Sequence, residues 1–167
     1  LQHPLSAGDV NYLNRKLERA NGASQASTLT LIDRHGIAVA ASNWRSPRNN
    51  VGEDYNFRPY VQQALTTGSG RFYGIGSTTG EPGYYLAHGL RGNDRVIGVA
   101  VVKVRLDALE KRWADARVEA HVSDENGIII LSSDPARRLK SVRPLDAAGR
   151  ERLARSLQYH WAALEEL

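Results

Sequence analysis

The stretch Asp54-Tyr55-Asn56-Phe57-Arg58-Pro59-Tyr60 holds residue types suited to capturing an anion. Proline is favoured at the first position of a helix, so the spacing predicts a helix opening at Pro59 with Arg58 at its mouth. The free backbone N–H groups and the macrodipole attract negative charge there. Arginine adds a planar fork matched to a carboxylate. Tyr55, three residues earlier, can aim its hydroxyl at the same spot. A solvated Arg58, or an Arg58–Asp54 ion pair, accounts for the same residues without a ligand. Lys103 is the second candidate. It interrupts the apolar run Ile97 to Val104, and on a strand it shares a face with Val99 and Val101. A lysine in that place either snorkels to water or meets an anion, because an unpaired buried charge is costly. Between the two cations lies Ser77-Thr78-Thr79, with Gly74, Gly76, Gly80 and Gly83 around it. Hydroxyls and small residues there let a ligand approach the backbone, although a plain hairpin explains the glycines equally well. Tyr84 and Tyr85 follow, and strand alternation sends one to each face.

Other chemistries lack their motifs. There is no Gly-x-Ser-x-Gly, no phosphate-binding Walker loop and no His-Glu-x-x-His. No nucleophile–base pair can be named, which argues against a small hydrolase. His3, His35, His88, His121 and His160 do not pair at metal-ligand spacing, so no metal and no cofactor are expected. Gly74-x-Gly76 follows a strand but no helix opens after it, so it is not a dinucleotide loop. The formal net charge is +4. Residues 1–105 carry 12 Lys and Arg against 7 Asp and Glu; the remainder carries 10 against 11. The basic residues are scattered rather than arranged in a stripe, so a small anion suits this surplus better than nucleic acid.

The elements that must position these residues follow from periodicity. Val10, Leu13 and Leu17 predict a helix over Asp9 to Ala20, stopped by Asn21-Gly22. Thr28 to Ile32 and Ile37 to Ala41 read as strands around the turn Asp33 to Gly36. A polar connection, Ser42 to Asp54, leads to the Pro59 helix. Strands are expected at Arg71 to Ser77, Tyr84 to His88 and Ile97 to Val104, the last buried on both faces. A helix over Leu106 to Arg117, a hairpin of Glu119 to Val122 with Ile128 to Leu131, and a helical stretch around Gly149 to Leu157 complete the pass. Leu29 to Ser42 can be laid over Ala120 to Ser133, with Asp33 on Asp124, Gly36 on Gly127 and Ser42 on Ser133. Both hairpins follow a helix. This points to a duplicated unit whose second copy is truncated, although two ordinary Asp-x-x-Gly hairpins would look alike.

The chain has 167 residues, of which 41% are hydrophobic and 24% charged, as in a soluble globular protein. It has no cysteine, which removes disulfides and thiolate sites, and no methionine, which suggests a processed form or an excised fragment. No apolar run approaches the roughly 20 residues that span a bilayer, and no signal peptide is visible.

With these residues in view, Ala41 to Trp44, Asp54 to Tyr60, Arg71 to Tyr73, Thr79 to Tyr84, Val101 to Val104 and Ser123 to Gly127 together resemble the periplasmic sensor region of the DctB-type C4-dicarboxylate sensor histidine kinases. The likeness runs from about Leu13 to Gln158-Tyr159 with its motifs in order; Tyr-x-x-Arg-x-Tyr alone is shared by many double-Cache receptors. The resemblance implies an α/β (α+β) fold: a PAS-like PDC/Cache module with a central antiparallel sheet flanked by helices, an N-terminal helix, and a truncated second PAS-like module. The expected division is an N-terminal helical segment (1–27), a membrane-distal ligand-binding module (28–105) and a connecting helix with a partial membrane-proximal module (106–167). By the same resemblance the ligand is succinate, fumarate or malate, held by Tyr55, Arg58, Ser77, Thr78, Thr79, Tyr84 or Tyr85, and Lys103. The full-length receptor is then a homodimeric inner-membrane kinase that faces the periplasm and works with a response regulator and a dicarboxylate transporter. A Cache sensor for another small ligand, such as an amino acid, in a chemoreceptor or cyclase, is the alternative; Asp54 or Glu81 would then pair the ligand's ammonium.

Overall fold

The computed structural model describes residues 5–24, 26–160 and 162–167. His3 lies outside the described residues. Helix α1 spans Ala7–Ser24. It starts two residues earlier than periodicity suggests because Ser6 and Asp9 form a reciprocal cap: the Ser6 amide donates to the Asp9 carboxylate at 2.9 Å, and the Asp9 amide donates to Ser6 Oγ at 3.2 Å. The helix also runs through Asn21-Gly22, correcting the stop expected there. A glycine ends a helix when it turns left-handed, and Gly22 keeps a negative φ. The helix lies on the strands β1 (Thr28–Asp33) and β2 (Ala38–Ala41). Its buried Asn14 accepts a hydrogen bond from the Ala41 amide at 2.8 Å.

Helix α2 (Pro59–Thr67) follows the polar connection, with Pro59 at its first position as the sequence suggests. Strands β3 (Ser69–Ile75), β4 (Pro82–Gly92) and β5 (Arg95–Val104) complete one antiparallel sheet of order β2-β1-β5-β4-β3. β4 is longer than the tyrosine-rich run implied, because it pairs with β3 on one side and β5 on the other. Asn93 and Asp94, both at positive φ, make the two-residue turn into β5, as a tight hairpin twisted with its strands requires.

α2 covers one face of the sheet, burying Tyr60, Val61 and Ala64 against Ile32, Phe72, Tyr85, Ala87, Val99 and Val101. β5 is therefore not buried on both faces as its composition suggested. Val99, Val101 and Lys103 are buried, whereas Ala100, Val102 and Val104 on the opposite face are only half-buried.

The rest of the chain is helix α3 (Asp107–Asp115), strands β6 (His121–Ser123) and β7 (Ile129–Ser132), a single 3₁₀ turn at Pro135–Arg137, and helix α4 (Ala147–Ser156). Ile128, Ile130, Leu131, Leu153 and Tyr159 form a second core, joined by Tyr73 and by the half-buried Tyr84 of the first sheet. The two cores thus share strands β3 and β4.

The two hairpins matched in the sequence agree almost bond for bond. Asp33 Oδ1 accepts the amides of His35 and Ile37; Asp124 Oδ1 accepts those of Asn126 and Ile128. Gly36 and Gly127 turn at φ 89° and 84°. The hydroxyls of Ser42 and Ser133 accept the amides of Leu29 and Ala120. Even the register irregularity falls at matched positions, between Leu31 and Ile32 and between Val122 and Ser123.

Candidate functional site

Strand register brings the first set of polar groups together. Lys103 of β5 pairs with Thr28 of β1 on one side and with Tyr85 of β4 on the other. One step along, Val101 pairs with Thr30 and Ala87. These residues sit on the face that α2 covers, and Thr28, Thr30, Tyr85, Val101 and Lys103 form the floor of a hollow. Asn50 from the long connection and Tyr55, Arg58 and Tyr60 around the start of α2 form its walls. The turn Gly76 to Thr79, between β3 and β4, forms its roof. The space open to the centre of a water molecule inside is about 20 Å³, enough for one or two waters.

Two side-chain contacts hold the roof down. The Tyr55 hydroxyl lies 2.6 Å from Thr78 Oγ1. Lys103 Nζ donates to Thr79 Oγ1 at 3.2 Å and stands 3.5 Å from Glu81 Oε2. Lys103 is only 4% exposed, so its charge is withdrawn from water. Burial pushes its pKa below the ordinary lysine value, and the nearby Glu81 carboxylate partly offsets this. Burial likewise raises the Tyr55 and Tyr85 hydroxyls above the ordinary tyrosine value, so both remain neutral donors and acceptors at neutral pH. Gly76 leaves the roof open from within: a Cβ there would lie 2.8 Å from Thr79 Oγ1 and 2.9 Å from the Tyr85 hydroxyl.

Arg58 lines the hollow and precedes Pro59 as expected, but most of its guanidinium is engaged elsewhere. Nη1 donates to the carbonyls of Ser156 and Leu157, both at 3.0 Å, and Nη2 to that of Ile75 at 2.8 Å. The last carbonyls of α4 have no partner within their own helix and sit at the negative end of its dipole, so a buried cation is drawn to them. Three of the five guanidinium donors are thus taken, which leaves two. Neither the solvated Arg58 nor the pair with Asp54 is formed: Arg58 is 2% exposed, and the Asp54 carboxylate accepts the Asn56 amide instead. The adjoining edge of β3 is tied to the same segment, with the Ile75 amide donating to Gln158 O at 2.7 Å and Gln158 Nε2 to Tyr73 O at 2.9 Å.

The structure therefore gathers Tyr55, Arg58, Ser77, Thr78, Thr79 and Lys103 around one hollow, and it leaves Tyr84 out. Tyr84 pairs with Tyr73 and faces the second core, while Tyr85 faces the hollow and stacks on Tyr60 at 5.1 Å. Of the two tyrosines left open by the sequence, Tyr85 and not Tyr84 lines the hollow, since alternation allows only one of the two on that face. Thr28, Thr30, Asn50 and Tyr60 are lining residues the sequence reading did not select. The alternation of Thr28 and Thr30 with Leu29 and Leu31 was a visible signal, although it does not say which face is enclosed. Among the described residues, the lining carries two cations, hydroxyls and one amide, but no carboxylate and no histidine. Such a surface can hold an anion and orient it.

No family model matches the chain. It is 36% identical over 155 residues, 93% of its length, to the C4-dicarboxylate transport sensor protein DctB of Rhizobium meliloti (strain 1021). It is 34% identical over 146 residues, 87% of its length, to the protein of the same name from Pseudomonas aeruginosa. The chain spans about a quarter of those relatives, 25% and 24% of their lengths. The crystal structure of the V. cholerae histidine kinase DctB sensor domain superposes with a TM-score of 0.89 and 31% identity, covering 97% of this chain and 63% of that one. The sensory domain of the Campylobacter jejuni chemoreceptor Tlp3 with isoleucine bound shares the fold alone, at 15% identity and a TM-score of 0.61, over 79% of this chain and 55% of that one. The resemblance to the DctB sensor region and its PDC/Cache fold, read from the motifs, thus holds over nearly the whole chain.

Proposed function

We propose that this chain, which resembles the DctB sensor domains in sequence and fold, is the ligand-binding sensor part of a C4-dicarboxylate-responsive histidine kinase and faces the periplasm. The observation that carries the reading is the hollow itself: a buried ammonium and a buried guanidinium line one small space with hydroxyls and no lining carboxylate. Lys103 would take one carboxylate of succinate, fumarate or malate. The free donors of Arg58, with the hydroxyls of Tyr55, Ser77 and Thr78, would take the other. Charge-assisted hydrogen bonds of this kind are worth about 1.5–3 kcal/mol each. A monoacid leaves one buried cation unanswered, and diacid selectivity follows from that. The present space is too small for four carbons, so entry requires the roof formed by Gly76 to Thr79 to lift and its contacts with Tyr55 and Lys103 to be exchanged for contacts with the ligand. Kinase output, homodimerisation, a response regulator and a transporter partner belong to the longer protein and follow from the same kinship.

The amino-acid alternative fits the hollow less well. A ligand ammonium needs an acid inside, yet Asp54 does not line the hollow and Glu81 is turned to Lys103. Thermal melting with succinate, fumarate, malate, butyrate and a panel of amino acids tests the reading. Diacids should raise the midpoint in a concentration-dependent way while butyrate and amino acids do not. A shift produced by amino acids alone would overturn it.

A further inference from the structure

We infer that Glu81 is a built-in competitor for the ligand, a carboxylate that holds Lys103 while the hollow is empty and that a ligand carboxylate must displace. The inference rests on the diacid reading of the hollow and adds to it the element that sets its affinity and selectivity.

The buried ammonium is the starting point. An isolated charge in such a place is strongly unfavourable, so Lys103 needs an anion whether or not a ligand is bound. Among the described residues, the acid within 4 Å of Lys103 Nζ is Glu81. Its place in the chain makes it a removable partner. Glu81 lies at the end of the roof turn: its carbonyl accepts the Gly76 amide at 2.9 Å, and its own amide reaches Thr79 Oγ1 at 3.4 Å. Thr79 Oγ1 is also the acceptor of the lysine's hydrogen bond. One short segment therefore presents to Lys103 both a hydroxyl and a carboxylate, the groups a hydroxylated diacid would present.

The two partners differ in burial, and the difference fixes which one moves. The Lys103 side chain is 5% exposed and the Glu81 side chain 54%. Glu81 can swing into water and be fully hydrated at little cost, whereas the lysine cannot follow it. A ligand that delivers a carboxylate from inside the hollow inherits the ammonium and frees the roof in one exchange. A tethered competitor also sharpens selectivity, because a neutral or weakly anionic molecule gives Lys103 no reason to leave Glu81.

Calorimetric titration of succinate into the wild-type protein, Glu81→Gln and Lys103→Met tests this. Removing an ion pair with one exposed partner has a modest energetic effect, so Glu81→Gln should bind succinate about three- to ten-fold more tightly. The same substitution should lower the ligand-free melting temperature, because Lys103 loses its anion. Affinity and stability thus move in opposite directions, which a merely structural turn residue would not produce. Unchanged or weaker binding by Glu81→Gln, with Lys103→Met abolishing binding, would overturn the inference and leave the diacid site standing. Equal binding by wild type and Lys103→Met would remove the site itself and the inference with it. Circular dichroism of each variant confirms the fold.

Discussion

Substituting Gly76 by alanine adds one methyl group to the roof and changes little else. Gly76 does not use the left-handed region, so alanine meets no backbone penalty there. The added carbon would lie 2.8 Å from Thr79 Oγ1, 2.9 Å from the Tyr85 hydroxyl and 3.4 Å from the Glu81 carbonyl. The first two distances are well inside ordinary contact. The open space is about 20 Å³, so the methyl takes up most of what a ligand's first atoms would use. Overpacking of this size costs about 1–3 kcal/mol. In the empty protein the Thr79 side chain can turn outward and relieve part of it. In the complex the ligand needs the space beside the Tyr85 hydroxyl that the methyl has taken, so the overpacking is not relieved. The difference should appear as a loss of succinate affinity of roughly ten-fold or more. The ligand-free melting temperature should change by only a few degrees, at about 2–4 °C per kcal/mol for a chain of this size. Calorimetry for affinity and a melting curve for stability separate the two effects. Wild-type affinity in Gly76→Ala would refute the placement of the ligand beneath this turn.

Other expectations follow from the same geometry. Lys103→Met should melt higher than wild type without ligand, since a buried charge is replaced by an apolar chain of similar length, and should lose succinate binding by about a hundred-fold or more in calorimetry. Burial holds the Lys103 pKa below the ordinary 10.5, so the folded protein loses this proton at a lower pH than the unfolded chain does. As pH rises toward 10.5, diacid affinity should therefore fall while this group's contribution to ligand-free stability rises; a pH series of titrations and melts should show the opposite signs. Arg58→Lys cannot reproduce the fork that serves the carbonyls of Ile75, Ser156 and Leu157, and should destabilise the fold by about 2–4 kcal/mol, with faster amide exchange around residues 156–160.

The sequence carried the local devices well and the long-range ones poorly. Pro59, the strand at Lys103 and the Asp33 and Asp124 turns each act within a few residues, so residue type alone places them. The choice between Tyr84 and Tyr85 needed the face that α2 covers. Thr28, Thr30 and Asn50 needed the pairing of β1 with β5, which brings Thr28 opposite Lys103 although 75 positions separate them in the chain. The engagement of Arg58 by the end of α4, about a hundred residues away, leaves no trace in local spacing. The helix stop at Asn21-Gly22 failed for a different reason: glycine permits a left-handed turn without compelling one, and the contact of Asn14 with β2 holds the helix in place.

The central claim is that a short diacid binds in the hollow between Lys103 and Arg58. Calorimetric titration of succinate against butyrate, on the wild-type protein and on Lys103→Met and Tyr84→Phe, tests it most directly. Wild type and Tyr84→Phe should bind succinate saturably, Lys103→Met should bind it about a hundred-fold more weakly or worse, and none should respond to butyrate. Succinate binding that survives loss of the ammonium but not loss of the Tyr84 hydroxyl would contradict it.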